Sequence, residues 1–259
     1  MNTISILGSG WLGLPLAQFF KQNGYNVKAS TTSPNRLTEL TITGLEAFLV
    51  DTENLCDTID HFLDSEILII NITSKNIEAF QQLITKIQKS PIQKLIFVSS
   101  TSVYKSSNKA VSESDTDQLT DSPLYKIEQL FQSCPDFETT IVRFGGLVGY
   151  SRNPGRFFAG GKTVRDPNGR VNLIHRDDCI GMIGTIIEKQ AWGELFNGCS
   201  DTHPTKREFY TKAALESRNP VPQFDDSISI PFKIISNEKA KAVLNYQFVY
   251  PDLMKIDFS

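Results

Sequence analysis

The sequence predicts an α/β fold built on a doubly wound parallel sheet, and three observations predict it. Strand-like and helix-like segments alternate through the first two thirds of the 259 residues, which is the pattern of successive β-α-β units. Continuous apolar runs such as Ile67–Ile70 suit parallel strands buried on both faces. Finally, Gly8-Ser9-Gly10-Trp11-Leu12-Gly13 directly follows the apolar run Ile4-Ser5-Ile6-Leu7 and directly precedes the helix-like run Leu14–Phe20. A G-x-G-x-x-G between strand and helix is a dinucleotide fingerprint with a mechanism. The first glycine permits the tight turn, the second lets the backbone approach a pyrophosphate, and the third lets helix and strand pack closely. The diphosphate then sits at the positive end of the helix.

The elements follow in order. Ile4–Leu7 reads as the first strand and Trp11–Asn23 as the first helix, with Gly24 as its stop. Tyr25–Ser30 reads as the second strand. Pro34–Thr41 is a short helix with proline in its first turn. Glu46–Val50 is a third strand and Glu66–Ile70 a fourth. Asn76–Lys89 is amphipathic with helical spacing. Lys94–Ser99 is the next strand, followed by a polar loop from Ser106 to Ser122. Pro123–Gln132 reads as helix and Thr139–Phe144 as strand. After Gly145 the pattern loosens. Glycine, proline and arginine gather between Gly145 and Arg170, as in a loop-rich region near a ligand.

Composition narrows the function classes. The chain is 40% hydrophobic, enough for a sizeable core, and its formal charge is -3. A nucleic-acid partner would need a basic face, and none is present. The run Arg176-Asp177-Asp178 reads as solvated surface or caps. Cys56, Cys134, Cys179 and Cys199 lie far apart without a C-x-x-C pair, which argues against a zinc or redox site. No metal ligand set is expected. No signal peptide or apolar span near membrane length is read, so a cytoplasmic protein with no membrane partner is the expectation.

The dinucleotide type follows from the end of the second strand. A protein that binds NAD usually places a carboxylate there for the ribose 2′-hydroxyl. This chain has Ser30-Thr31-Thr32-Ser33, then Arg36, and no carboxylate before Glu39. Hydroxyls with a nearby guanidinium suit a 2′-phosphate, which favours NADP over NAD with Arg36 as the phosphate partner. The alternative is that Thr31–Ser33 cap the helix and Arg36 is a solvated surface residue. Asn71 and Thr73, after the fourth strand, lie where backbone contact with the cofactor is expected. Trp11 and Leu12 lie inside the fingerprint, Trp11 packing the helix start.

Several segments together resemble a known family. Phe97-Val98-Ser99-Ser100-Thr101-Ser102-Val103-Tyr104 resembles the F-x-S-S-x-x-V-Y segment of extended short-chain dehydrogenases/reductases, the NAD-dependent epimerase/dehydratase group. Arg143-Phe144-Gly145-Gly146-Leu147-Val148-Gly149 resembles the exit of that family's sixth strand. Ile174-His175-Arg176-Asp177-Asp178 resembles its I-H-x-x-D segment, and Phe196-Asn197-Gly198 its late strand. Ser236–Ala240 and Leu244-Asn245-Tyr246 resemble its C-terminal helix and turn. Asn153-Pro154-Gly155-Arg156-Phe157-Phe158-Ala159-Gly160 is similar to the bacterial YeeZ-like group of atypical members. The resemblance implies a Rossmann domain over about 1–150 plus 171–199. It also implies a small, discontinuous substrate-binding cap over about 151–170 plus 200–259. The implied activity is that of an NAD(P)-dependent oxidoreductase or epimerase-like protein on a small, sugar- or nucleotide-linked substrate, and a homodimer is one of the open oligomeric states.

The resemblance fails at one decisive place. The family's chemistry uses a Tyr-x-x-x-Lys pair, in which the tyrosine exchanges a proton with the substrate oxygen and the lysine holds the ribose and lowers the tyrosine pKa. By position, Ser100 matches the family's orienting serine, with Thr101 beside it, and Lys126 matches the lysine. Ser122 stands where the tyrosine is expected, and a serine hydroxyl is a far weaker acid than a phenol. Tyr125 is next to the lysine, about 100° away around a helix from the required direction. Arg156 is the preferred substrate anchor, against an ordinary loop arginine. His175 either titrates near neutral pH at the site or is a strand-end residue with a satisfied hydrogen bond, the latter being preferred. Asp178 is expected to N-cap the following helix. His61 and His203 carry no signal. A dinucleotide-binding sensor or scaffold without turnover is therefore the rival to an enzyme.

Overall fold

The computed structural model describes residues 2–56 and 58–259. In chain order the elements begin β1 (Thr3–Leu7), α1 (Gly13–Gln22), β2 (Asn26–Thr31), α2 (Pro34–Ile42), β3 (Glu46–Leu49), α3 (Thr58–Phe62), β4 (Ile67–Ile70), α4 (Ile77–Ile87) and β5 (Lys94–Ser100). They continue with β6 (Lys109–Val111), α5 (Pro123–Gln132), β7 (Glu138–Phe144), β8 (Gly146–Val148), β9 (Val164–Arg165), β10 (Leu173–His175) and α6 (Arg176–Glu188). The last are β11 (Leu195–Gly198), α7 (Lys206–Glu216), β12 (Phe224–Asp225), β13 (Lys233–Ile235) and α8 (Glu238–Leu244).

Seven strands form one mostly parallel sheet in the order β11-β7-β5-β4-β1-β2-β3. The order reverses between β1 and β4, where the chain leaves the two strands toward opposite sides; such a switch point is where open α/β sheets bind ligands. β4 is apolar at every position and buried at every position, as a central strand covered on both faces must be. α1 buries Leu16, Ala17 and Phe20 at helical spacing. It ends at Asn23, with Gly24 at φ +85 supplying the left-handed stop.

The chain divides into two compact units. The first holds Met1–Ser99, Asp121–Val142 and Ile183–Leu195; the second holds Ser100–Thr120, Arg143–Met182 and Phe196–Ser259. Residues 100–120, 143–150, 171–182 and 196–199, which the sequence reading grouped with the first domain, cluster with the second unit. The chain passes between the units near the ends of β5 and β7, before α5, within α6 and at the start of β11.

An aromatic cluster anchors the core of the first unit. The rings of Phe97 and Phe131 stack at 5.1 Å, and Phe80 meets them edge-on at 5.9 and 5.7 Å. Leu68, Ile70, Leu83 and Ile127 pack around them, all fully buried. The second unit has its own core of Val148, Val171, Leu173, Phe209, Ala213, Leu253, Ile256 and Phe258.

Three expectations are corrected. The polar stretch from Ser106 to Ser122 is not structureless: it carries β6 and a 3-10 turn at Thr116–Gln118. β6 pairs in parallel with β13 far along the chain, a contact no local pattern announces. α3 is absent from the sequence reading because five residues cannot display helical periodicity. Asp178 does not N-cap α6, which already begins at Arg176. Its carboxylate is fully buried and accepts hydrogen bonds from Val249 N (2.7 Å), Tyr250 N (3.0 Å) and the Tyr246 hydroxyl (3.1 Å). It fastens the C-terminal segment instead of facing solvent.

Phe131→Ala removes the ring on which Phe80 and Phe97 both close and should cost about 3–5 kcal/mol, read as a lower urea midpoint at unchanged m-value; a loss below about 1 kcal/mol would deny the cluster its anchoring role.

Candidate functional site

The turn after β1 is built by close backbone approach. Gly8 has φ +97, and a methyl group added there would stand 2.5 Å from the Asn71 carbonyl oxygen and 2.6 Å from Ile72 Cγ2. A methyl group at Gly13 would overlap the Gly8 carbonyl oxygen. The first turn of α1 therefore lies directly on the end of β1. Gly10 differs from both: a methyl group there would meet nothing within 4 Å, so open space lies above the turn.

Neighbouring strands brace this turn. The Ser30 hydroxyl accepts from Gly8 N at 3.0 Å, and Ser9 donates its N–H and its hydroxyl to the Ser30 carbonyl at 2.9 and 2.7 Å. Asn71 Nδ2 donates to the Gly8 carbonyl at 3.3 Å. Ser30, at the end of β2, is thus committed to the shape of the turn. Thr31 Oγ1 accepts from Ser33 N at 3.1 Å, a local turn at the entry to α2, whereas Ser33 itself makes no side-chain cap. Thr73 is exposed in the segment after β4.

The helix end above the turn is uncapped. Leu12 occupies the N-cap of α1 without a side-chain hydrogen bond, and no acidic residue stands in the first turn. Most helices fill this place with Ser, Thr, Asp or Asn because the first N–H groups have no partner within the helix. An uncapped N-terminus facing open space is suited to an anion with several oxygen acceptors. The residues present therefore fit a dinucleotide diphosphate. Arg36 is half-exposed on α2, with Nε 3.3 Å from Glu39 Oε2; its two terminal nitrogens bond no other described residue.

α5 shows what Ser122 does at its position. Ser122 is the N-cap of this helix, its hydroxyl accepting from Tyr125 N at 3.3 Å, and Pro123 fills the first helical position. The position matching the family's proton donor therefore lies outside the helix and is engaged in starting it. Lys126, one turn in, is exposed and pairs with Asp121 at 3.1 Å. Behind it, fully buried Glu128 accepts a short hydrogen bond from the Ser99 hydroxyl.

The other named residues lie in the second unit. Ser100 caps a single 3-10 turn, Thr101–Val103, its hydroxyl accepting from Ser102 N at 3.1 Å. Thr101 is buried. Tyr104 closes the turn and is the hub of a polar network that the sequence reading left without a role. Its hydroxyl accepts from Arg143 Nη1 at 2.7 Å and donates to Asn197 Oδ1 at 3.0 Å, and Asn197 N donates to Glu113 Oε1 at 2.6 Å. Burial raises the pKa of Tyr104 and of Glu113. The signal in the sequence was the recurrence of these residues inside the S-S-T-S-V-Y, R-F-G-G and F-N-G segments.

Arg156 ends a 3-10 turn capped by Asn153, whose Oδ1 accepts from Gly155 N at 2.8 Å and whose Nδ2 donates to the Phe258 carbonyl at 2.8 Å. The turn is thus held by Asn153, and the exposed Arg156 guanidinium bonds no other described residue. His175 is buried, its ring 3.8 Å from that of Tyr250 and 5.5 Å from that of Tyr150. Its Nδ1 accepts from Asp177 N at 3.3 Å, which places the proton of the neutral ring on Nε2. Burial lowers its pKa, against the opposing pull of Asp177 and Asp178. The Tyr150 hydroxyl donates to both Asp177 oxygens, and the Arg176 guanidinium stacks 3.7 Å above the Tyr150 ring. The run 176–178 is therefore engaged in packing and not a solvated surface. Among the described residues no group of His, Cys, Asp and Glu could hold a metal ion, and no helix is long and apolar enough to cross a membrane.

Comparison with known proteins follows the same outline. A family model described as NAD(P)H-binding matches residues 8–178. Protein YeeZ of Escherichia coli (strain K12) is 32% identical over 268 residues, covering 97% of each chain. The solved structure of a putative NAD-dependent epimerase/dehydratase from Methylobacillus flagellatus superposes with a TM-score of 0.79 at 23% identity, covering 97% of this chain and 94% of that one. UDP-glucuronic acid 4-epimerase from Bacillus cereus in complex with NAD gives 0.77 at 18% identity, covering 99% and 97%. At these identities the two structures establish the shared fold.

Because the native His175 ring takes its proton less readily than the unfolded chain, its contribution to stability is present above the ordinary histidine value of 6.5 and is lost as pH falls through the lowered native value. The ring's NMR titration should lie below 6.5, and wild type should lose melting temperature relative to His175→Asn over that range; a ring titrating above 6.5 would contradict the assignment.

Proposed function

The chain belongs to the NAD(P)H-binding family, in its YeeZ-like group, and on that premise we propose a dinucleotide-dependent oxidoreductase or epimerase-like enzyme acting on a small, sugar- or nucleotide-linked substrate. The turn between β1 and α1 carries the reading. Its glycines close strand against helix at Gly8 and Gly13, leave space at Gly10, and present an uncapped helix end. A UDP-sugar 4-epimerase among the proteins of like fold supports the substrate class.

The backbone of Gly10, Trp11, Leu12 and Gly13 would hold the diphosphate, with Gly8 and Ser30 keeping the turn in shape. Thr31 and Arg36 would meet the adenosine ribose; the guanidinium and the lack of a carboxylate before Glu39 favour NADP over NAD. Asn71 and Thr73 border the path of the cofactor, and Lys126 would hold the second ribose. When bound, the nicotinamide supplies or accepts the hydride. Ser100 orients the substrate oxygen with its hydroxyl, Thr101 shapes the floor beside it, and Arg156 anchors an anionic part of the substrate. His175, neutral at pH 7, serves as a hydrogen-bond donor through Nε2 and not as a cation. The protein works in the cytoplasm on a small molecule.

A second reading, a dinucleotide-binding sensor without turnover, is favoured by one observation. Ser122 caps α5 and leaves no phenol one helical turn before Lys126.

Titration with NADPH and NADH should show binding below millimolar concentration. Arg36→Ala should weaken NADPH by about tenfold, a loss of about 1.4 kcal/mol, and NADH far less. Equal losses reject the 2′-phosphate role, and binding of neither nucleotide rejects the whole reading. In a substrate screen, turnover that needs the dinucleotide and drops by about 100-fold in Ser100→Ala would exclude the sensor; tight dinucleotide binding with no turnover on any carbonyl or sugar-nucleotide substrate would establish it.

A further inference from the structure

Glu53 is a charged group that neither the sequence motifs nor the dinucleotide site uses. It stands exposed in the segment after β3, and its carboxylate reaches the segment after β4. Oε1 accepts from the Ser74 hydroxyl at 3.0 Å, and Oε2 accepts a short hydrogen bond from Asn76 Nδ2. Both segments belong to the first unit. In the sheet, β3 and β4 are not neighbours: the order β4-β1-β2-β3 puts three strand intervals between them, about 14 Å. The segments set out from the carboxyl ends of their strands, where Val50 N donates to the Thr31 carbonyl at 3.0 Å and Asn71 N to the Leu7 carbonyl at 2.9 Å. The bridge at Glu53 therefore passes the carboxyl ends of β1 and β2. These two strands lead into the Gly8 turn and end at Thr31, along which the dinucleotide is proposed to lie.

Each half of the bridge is an exposed tip between fixed flanks. On the β3 side, Thr52 is buried and Leu55 packs on the apolar core, and residues 53 and 54 between them are exposed. Asp51 shapes this tip, its Oδ1 accepting from Glu53 N at 2.9 Å and its Oδ2 from Asn54 Nδ2 at 3.2 Å. On the β4 side, Ile72 and Ile77 pack on the same core, and Thr73, Lys75 and Asn76 between them are exposed. Asn76 has two tasks. Its Oδ1 caps α4 by accepting from Ala79 N at 3.2 Å, and its Nδ2 donates to Glu53. The cap needs only the oxygen, and an aspartate would cap as well. An aspartate would repel Glu53, whereas the amide both caps the helix and joins the two segments. The join consists of hydrogen bonds between exposed polar side chains. Such bonds compete with water and open at low cost, while the flanks stay anchored in the core.

We propose that the Glu53–Ser74–Asn76 clasp is a gate on the dinucleotide crevice, opening to admit or release the nucleotide and closing again once it is bound. The inference rests on the proposed function for the identity of the ligand. Because the clasp closes in the free protein and in the complex alike, it sets the rates of entry and exit and leaves the affinity unchanged. Glu53 acts by holding the two segments together and has no proton to transfer.

Two variants outside the core open the clasp. Glu53→Ala removes the acceptor, and Asn76→Asp keeps the α4 cap while setting a carboxylate against Glu53. Amide hydrogen exchange, followed by NMR without nucleotide, reads the clasp itself. The N–H groups of Glu53, Asn54 and Asn76 should exchange about fivefold faster in both variants, the scale of an exposed charged contact, with those of β1 and β4 unchanged. Stopped-flow mixing with NADPH and with NADH then reads the gate. Association and dissociation rates should rise together by about fivefold, with the dissociation constant unchanged. Rates equal to those of wild type overturn the proposal, and so does unaltered exchange at the three amides. A change in the dissociation rate alone also overturns it, because the variant would then have removed a direct contact with the nucleotide. If neither nucleotide binds to wild type or to either variant, the proposed function fails and the gate fails with it; a gate that fails alone does so with nucleotide binding intact.

Discussion

The contact of Gly13 against the Gly8 carbonyl is the constraint on which the candidate site depends. It brings the first turn of α1 down onto the end of β1, beside the open space at Gly10 and with no side chain capping the helix end. Any side chain at Gly13 would lift the helix away, and any at Gly8 would collide with the strand exit at Asn71. Ser30 from β2 and Asn71, just after β4, then bind the turn from both sides of β1, the strand beside the sheet's switch point. The turn is thus shaped by close backbone approach and braced by side chains, the kind of geometry that suits an anion.

Polar contacts tie the second unit together beside its apolar core. Tyr104 joins Arg143 and Asn197 through its hydroxyl and Lys233 through its carbonyl. Asp178 gathers the segment from Tyr246 to Tyr250, and Tyr250 in turn covers His175. Buried polar groups of this kind are costly unless their partners are supplied, and so they define one arrangement of the segments beside Ser100 and His175. The price of such an arrangement is sensitivity: removing one partner leaves the others buried and unsatisfied.

Binding a dinucleotide and using one are separable in this chain. The turn after β1 has each feature that a diphosphate requires. α5 begins at the position that the resemblance assigns to a tyrosine, and the residue there is a serine whose oxygen is taken by the helix start. A serine held in this way cannot supply a phenol's proton.

Much of the fold was legible because it is written in short-range pattern. The alternation of apolar strands with amphipathic helices gave β1 to β5, α1, α2, α4, α5 and β7 to within a few residues, and the glycine spacing located the tight turn between β1 and α1. The same reading could not see β6 beside β13, the buried carboxylate of Asp178 bonded to residues 71 and 72 positions away, or Lys233 on the Tyr104 carbonyl. Asp178 looked like a helix cap because, in sequence, a carboxylate near a helix start has one obvious use. By itself the sequence determined which segments become strand or helix and where a backbone turn can approach a diphosphate, because both are consequences of local sterics and periodicity. The tertiary structure decided which polar side chains are buried and what they hold, because a charge is kept or spent only by partners that the chain brings to it from afar.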